Sequence, residues 1–182
     1  RGSNQSFMSN SPGAEATGGW GALASFDMDG VYIPSGSMSL VNPDANYINH
    51  FFRRAPGFFD VVCYTGDGSA RTVAHSLGVT PELMIVKCRS IGGTVYSWAT
   101  WSTGYTGAGL YLNASDVFPG DTQAIPASGH TSSVFSLATN AAVNGAGATY
   151  IAYLFATLPG ISKVGSYTGN GTTQTINCGF TT

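Results

Sequence analysis

The sequence predicts an all-β fold, antiparallel strands packed as a sandwich or jelly roll with two internally repeated halves. Three observations predict it. Short runs rich in β-branched and aromatic residues recur along the 182 residues, separated by Gly, Pro, Asn and Ser. No segment carries a convincing amphipathic helical period. One stretch of the chain returns later at a fixed offset.

Taken in order, residues 1–21 are small, polar and glycine-rich, and read as an arm or long loop. The rest, 22–182, reads as one β-sandwich region. Strands are predicted over 23–28, 47–52, 58–65, 71–75, 83–88, 94–101, 109–112, 133–138, 149–156, 162–168 and 173–178. Leu83-Met84-Ile85-Val86 is an unbroken apolar run between Pro81 and Lys87, which suits a central strand buried on both faces. Tyr96-Ser97-Trp98-Ala99-Thr100-Trp101 alternates large and small side chains, as a half-buried strand does.

The repeat is the most informative feature. Pro56-Gly57, Val61 and Tyr64-Thr65-Gly66-Asp67-Gly68 return as Pro159-Gly160, Val164 and Tyr167-Thr168-Gly169-Asn170-Gly171, each 103 positions on. Thr72-Val73 returns as Thr175-Ile176 at the same offset. After a two-residue gap, Gly78-Val79-Thr80 aligns with Gly179-Phe180-Thr181. Upstream, Tyr47-Ile48 and Phe52 match Tyr150-Ile151 and Phe155, and with a small shift Phe26 and Met28 match Phe135 and Leu137. Residues 22–80 are thereby related to 131–182. Asp or Asn followed by Gly supplies the positive φ angles of a tight hairpin turn, so each copy reads strand, turn, strand. The second copy stops before an equivalent of the Leu83 strand, so the chain is expected to be part of a longer array, with an open sheet edge that works inside an oligomer or filament.

Composition narrows the function. Only 9 % of residues are charged, against roughly 25 % in an average soluble protein. The polar surface must come from Ser, Thr, Asn and the backbone of 25 Gly, a mixture suited to extracellular β scaffolds. The seven Lys and Arg are scattered, with only Arg53-Arg54 adjacent, so nucleic acid is not an expected partner. The longest nearly apolar stretch, 150–158, is far short of the roughly 20 residues of a membrane helix, and membrane insertion is not expected. Cys63, Cys88 and Cys178 form no CxxC pair and no metal pattern with the three His. They read as buried or idle thiols, or as a Cys63–Cys88 bridge between adjacent strands; no cofactor or metal is expected.

Candidate chemistry is sparse. Asp27-Met28-Asp29-Gly30 opens like a calcium loop, but Tyr32 and Ile33 follow and Met38 stands where the bidentate Glu belongs. A polar turn is the simpler reading. His75 with Asp60 or Asp67 lacks a nucleophile motif, and Cys178 occupies its place in the repeat. The close carboxylate pairs Asp27/Asp29 and Asp116/Asp121 read as solvated turns, so no enzymatic activity is expected. Tyr96, Trp98, Trp101, Tyr105 and Tyr111 concentrate aromatic surface in mid-chain, either as core or as a platform for sugar rings. Tyr105, Trp101 and Trp98 are the candidate glycan contacts, with Tyr105 in the Gly-rich 104–109 loop the most exposed by expectation.

The runs Arg53-Arg54-Ala55-Pro56-Gly57-Phe58-Phe59-Asp60-Val61-Val62, Tyr64-Thr65-Gly66 and Gly78-Val79-Thr80-Pro81-Glu82-Leu83-Met84-Ile85-Val86-Lys87 carry a resemblance, continued by Leu112-Asn113 and 148–156. From about residue 21 onward the chain resembles uncharacterised domains of bacteriophage virion proteins of tail or fibre type, in which the YTG…G…P…IVK unit occurs in tandem. The resemblance implies a structural component of a virion, an extracellular particle, in a tail, fibre or spike that serves assembly or host attachment. It implies further copies or other virion proteins as partners and brings no catalytic residue. The alternative reading is a lectin-like module that recognises host surface glycans, and a glycan depolymerase ranks third.

Overall fold

The computed structural model describes residues 5–6, 8–14, 16–17, 25–26, 30–33, 46–48, 50–90, 94, 96–104, 109–115 and 124–180. Among these residues eleven strands follow in order: β1 (Gln5–Ser6), β2 (Ala16–Thr17), β3 (Ser25–Phe26), β4 (Val31–Tyr32), β5 (Phe59–Thr65), β6 (Arg71–Ala74), β7 (Leu83–Ser90), β8 (Ala99–Ser102), β9 (Leu110–Tyr111), β10 (Val134–Leu137) and β11 (Thr149–Phe155). A short helix, α1 (Ala141–Asn144), precedes β11.

The principal sheet has the order β5-β11-β7-β8-β9, with every pair antiparallel. Strand β11 lies inside it between β5 and β7, and its sequence Thr-Tyr-Ile-Ala-Tyr-Leu-Phe suits a strand hydrogen-bonded on both sides. The expected central position of the Leu83 strand holds, because β7 is the third of the five strands, between β11 and β8. β6 and β10 form a second, two-stranded sheet. Phe135 and Leu137 of β10 share one core with Met84 and Val86 of β7 and Tyr150 and Leu154 of β11. The fold is therefore all-β and antiparallel, sandwich-like in its packing. Each large side chain buried in that core contributes roughly 1.5–3 kcal/mol by leaving water.

Several expectations need correction. Residues 163–178 contain no strand, and neither do the described residues of 46–52, although both segments have strand-like sequences. The predicted strand 94–101 begins only at Ala99, since the Trp98 amide donates to the Asn113 side chain at 2.8 Å. Helix α1 is a further departure. Four residues cannot show a helical period, although Asn140 caps the turn by accepting from the Ala142 amide at 2.8 Å. A Cys63–Cys88 bridge is excluded, and none of the three cysteines is in a disulfide. Strand β11 separates β5 from β7, which puts the two thiols two strands apart, about 9.5 Å, beyond disulfide reach. The N-terminal arm is partly structured, with β1 paired to β2.

Candidate interaction surface

The Tyr64–Gly68 motif is a docking pad for α1. Tyr64 stacks on Tyr150 with centroids 5.1 Å apart and meets Phe135 edge-on at 6.0 Å. The Tyr64 hydroxyl donates to Val143 O at 2.7 Å, and the Tyr150 hydroxyl donates to Ala141 O at 2.5 Å while accepting from Gly145 N at 2.7 Å. Both phenols thus bind the helical turn, and burial raises both pKa values above the usual tyrosine range. Gly66 lets the two backbones touch: a Cβ there would lie 2.3 Å from Gly145 O and 2.8 Å from Asn144 C. Asn144, fully buried, completes the joint. Its Nδ2 donates to Ser69 O (2.6 Å) and Ala138 O (3.0 Å), and its Oδ1 accepts from Asp67 N (3.2 Å). Every polar atom of that side chain has a partner, as burial demands.

Asp60 anchors the start of β5. Its carboxylate accepts from Ser76 N at 2.7 Å, Arg54 Nε at 2.5 Å and Val61 N at 2.8 Å. Burial alone would raise its pKa, but the bonds from Ser76, Arg54 and Val61 and the charge of Arg54 hold it below the ordinary carboxylate value. The acid is committed to structure, and so is one of the two adjacent arginines.

A second node ties down the N-terminal arm. Lys87 is fully buried and its Nζ donates to Pro12 O at 2.7 Å and Tyr96 O at 2.6 Å. Burial lowers its pKa below the usual lysine value. Beside it, Trp98 Nε1 donates to Met8 O and Ser11 O, both at 3.1 Å. The sequence placed Lys87 at the end of an apolar strand and gave no sign that it fastens residues 8–12.

The end of the sheet where β5 begins and β11 finishes is aromatic. Phe59 and Phe155 lie 4.8 Å apart, and Phe52 contacts them at 5.5 and 6.0 Å, with Phe58 at 6.0 Å from Phe59. From this end residues 50–52 approach and residues 158–180 depart. Both segments hold large apolar side chains in solvent: Phe51 and Phe52, with Ile48 before them, on one side, Ile161, Tyr167, Ile176 and Phe180 on the other. Thr157 fixes the departure, donating to Glu82 Oε2 at 2.5 Å and accepting from Val164 N at 3.1 Å.

The candidate glycan contacts and carboxylate pairs fall elsewhere. Trp98 and Trp101 are buried, the first stacked on Tyr153 and the second edge-on to His130 at 4.6 Å. Little of either ring is open to a sugar, in keeping with the core reading of the mid-chain aromatics. Tyr105, Asp27, Asp29, Asp116 and Asp121 lie outside the described residues. His75 accepts from Leu77 N at 3.1 Å and contacts Thr131 O at 3.2 Å, both backbone groups. Among the described residues no group of three or more His, Cys, Asp or Glu is placed to hold a metal ion, and no helix is long and apolar enough to cross a membrane.

No curated protein and no solved structure matches the chain. The stretch that carries the Asp60 anchor, the Tyr64–Gly68 pad and the exposed tail is another matter: residues 53–182 match the family described as Domain of unknown function (DUF7483), and the chain belongs to that family.

Proposed function

We propose that the chain is a structural, non-enzymatic component of a phage virion, of tail, fibre or spike type, acting in assembly or host attachment. The observation that carries this reading is the set of large apolar side chains held in solvent before and after the packed strands, Ile48, Phe51 and Phe52 on one segment and Ile161, Tyr167, Ile176 and Phe180 on the other. Contiguous exposed apolar surface marks a place where another protein sits. The scarcity of charge supports it, since few charged side chains guard those segments against association. The resemblance carried by residues 53–87 supplies the particle.

The partners on this reading are further copies of the chain or other virion proteins. Glycan recognition ranks second, because Trp98 and Trp101 are packed inside. Antibodies raised against the chain should decorate the tail or fibres of purified particles in electron micrographs. Particles that infect normally and contain no peptide of this chain by mass spectrometry would remove the proposal.

A further inference from the structure

Residues 158–180 repeat the turns of 55–78 at three places. In the first copy Ala55 N donates to Phe59 O (2.9 Å), and Phe58 N and Phe59 N donate back to Ala55 O (3.2 and 3.1 Å). In the second copy Leu158 N donates to Ser162 O (3.1 Å), and Ile161 N and Ser162 N donate back to Leu158 O (both 2.9 Å). Gly57 and Gly160 have φ of 75° and 77°, and Gly68 and Gly171 have 78° and 74°. The Asp67 side chain accepts from Ser69 N at 2.8 Å, and Asn170 accepts from Thr172 N at 2.9 Å. Arg71 reaches back to Thr65 O at 2.5 Å, and Gln174 reaches back to Thr168 O at 3.2 Å.

The two copies differ in what covers them. Strand β5 lies on β11, in a register that puts Thr65 opposite Thr149 and Phe59 opposite Phe155. Residues 162–168 lie on no strand among the described residues, and Tyr167, the counterpart of the stacked Tyr64, is 69 % exposed. Ile176 is exposed where Val73 packs on the core. Residues 46–48 and 50–52 show the reverse case, a copy of β11 without its sheet. Tyr47 and Ile48 are 41 % and 86 % exposed, against 0 % and 3 % for Tyr150 and Ile151.

We infer that residues 158–180 are the preformed opening turns of a neighbouring unit, equivalent to those that lead β5 into one sheet and β6 into the other, and that 162–168 pair with the β11-type strand of a further copy of this same unit. The register follows from β5 on β11: Thr168 lies opposite the partner's counterpart of Thr149, and Ser162 opposite its counterpart of Phe155. The occupant is specified by the side chains left waiting. Tyr167 needs a tyrosine ring to stack on and a helical turn to receive its hydroxyl, and Ile176 needs a β10-type strand, which only the later half of such a unit provides. By the same register, 46–52 take a β5-type strand. The turns are already formed before the partner arrives, so pairing costs less ordering entropy than folding a disordered segment. This joint does not depend on which particle the copies build.

The test extends the chain behind Thr182 with a second copy of its own residues 82–157 and follows amide hydrogen exchange. In the unextended chain at low concentration the amides of 162–168 are expected to exchange fast, while those of 59–65 are protected. In the extended chain the 162–168 amides should slow by about a hundredfold or more, as amides in cooperatively packed strands do. Tyr167→Ser should leave the unfolding midpoint of the unextended chain unchanged and abolish that slowing in the extended one. Protection of 162–168 already present in the unextended chain, or none in the extended one, overturns the inference.

Discussion

His130 shows how a single side chain sets the response of this protein to acid. Its Nε2 donates to Pro126 O at 2.7 Å and its Nδ1 accepts from Ser136 N at 3.1 Å, an arrangement open only to the neutral ring. Burial lowers its pKa below the ordinary histidine value, the Pro126 carbonyl opposes that shift, and the nearby His75 adds to it. The unfolded chain therefore binds the proton more readily than the folded one. Stability from this residue is complete above about pH 6.5 and is lost as the pH falls through the folded value. Asp60, also lowered, adds a second loss below about pH 4. Urea midpoints measured from pH 7.5 to 5 should fall for the native sequence, and His130→Gln should flatten that slope while lowering the midpoint at pH 7.5. An equal slope in both proteins would assign the acid response elsewhere. Nothing in the sequence distinguished His130 from His75, because a ring's partners here are backbone groups that only folding brings near.

At the scale of elements, identical turns in different surroundings separate intrinsic conformation from packing. Gly66 and Gly169 occupy the same place in the two copies. A Cβ on Gly66 would run into Gly145 and Asn144, whereas one on Gly169 would meet nothing within 4 Å. Gly66→Ala should cost about 1–3 kcal/mol by forcing α1 off the turn, and Gly169→Ala should stay within about 0.5 kcal/mol. Denaturant titration of the two variants checks this, and equal effects would mean that the glycines serve the turn itself. The same contrast explains what could be read in advance. The positions of β5, β6, β7, β10 and β11 were legible because their apolar runs and bounding Gly and Pro are local signals. Residues 162–168 and 173–178 carry the same signals and form no strand, since a strand exists only when another lies beside it. The clamp of Lys87 and Trp98 on residues 8–12 was illegible for a related reason: its acceptors are carbonyls, which every residue has.

For the molecule as a whole, the packed sheets run from β5 to β11, and the exposed tail adds little to them. A chain ended after residue 164, which keeps the Thr157 and Ser162 contacts, should unfold at a midpoint within about 0.5 kcal/mol of the full one. A larger loss in a calorimetric scan would show that the tail braces the sheets. The route of the chain through those sheets has a mechanical consequence. Phe59 opens β5 and Phe155 closes β11 directly opposite each other, so the residues just before Phe59 and just after Phe155 lie at one end of a single strand pair. Tension drawn between those two ends acts as it does on the two halves of a zipper. It parts the seven facing pairs in sequence, starting at the aromatic end, and never loads them in parallel. A string of such units would yield early and lengthen under a pull, absorbing a jolt that a rod sheared along its strands would transmit.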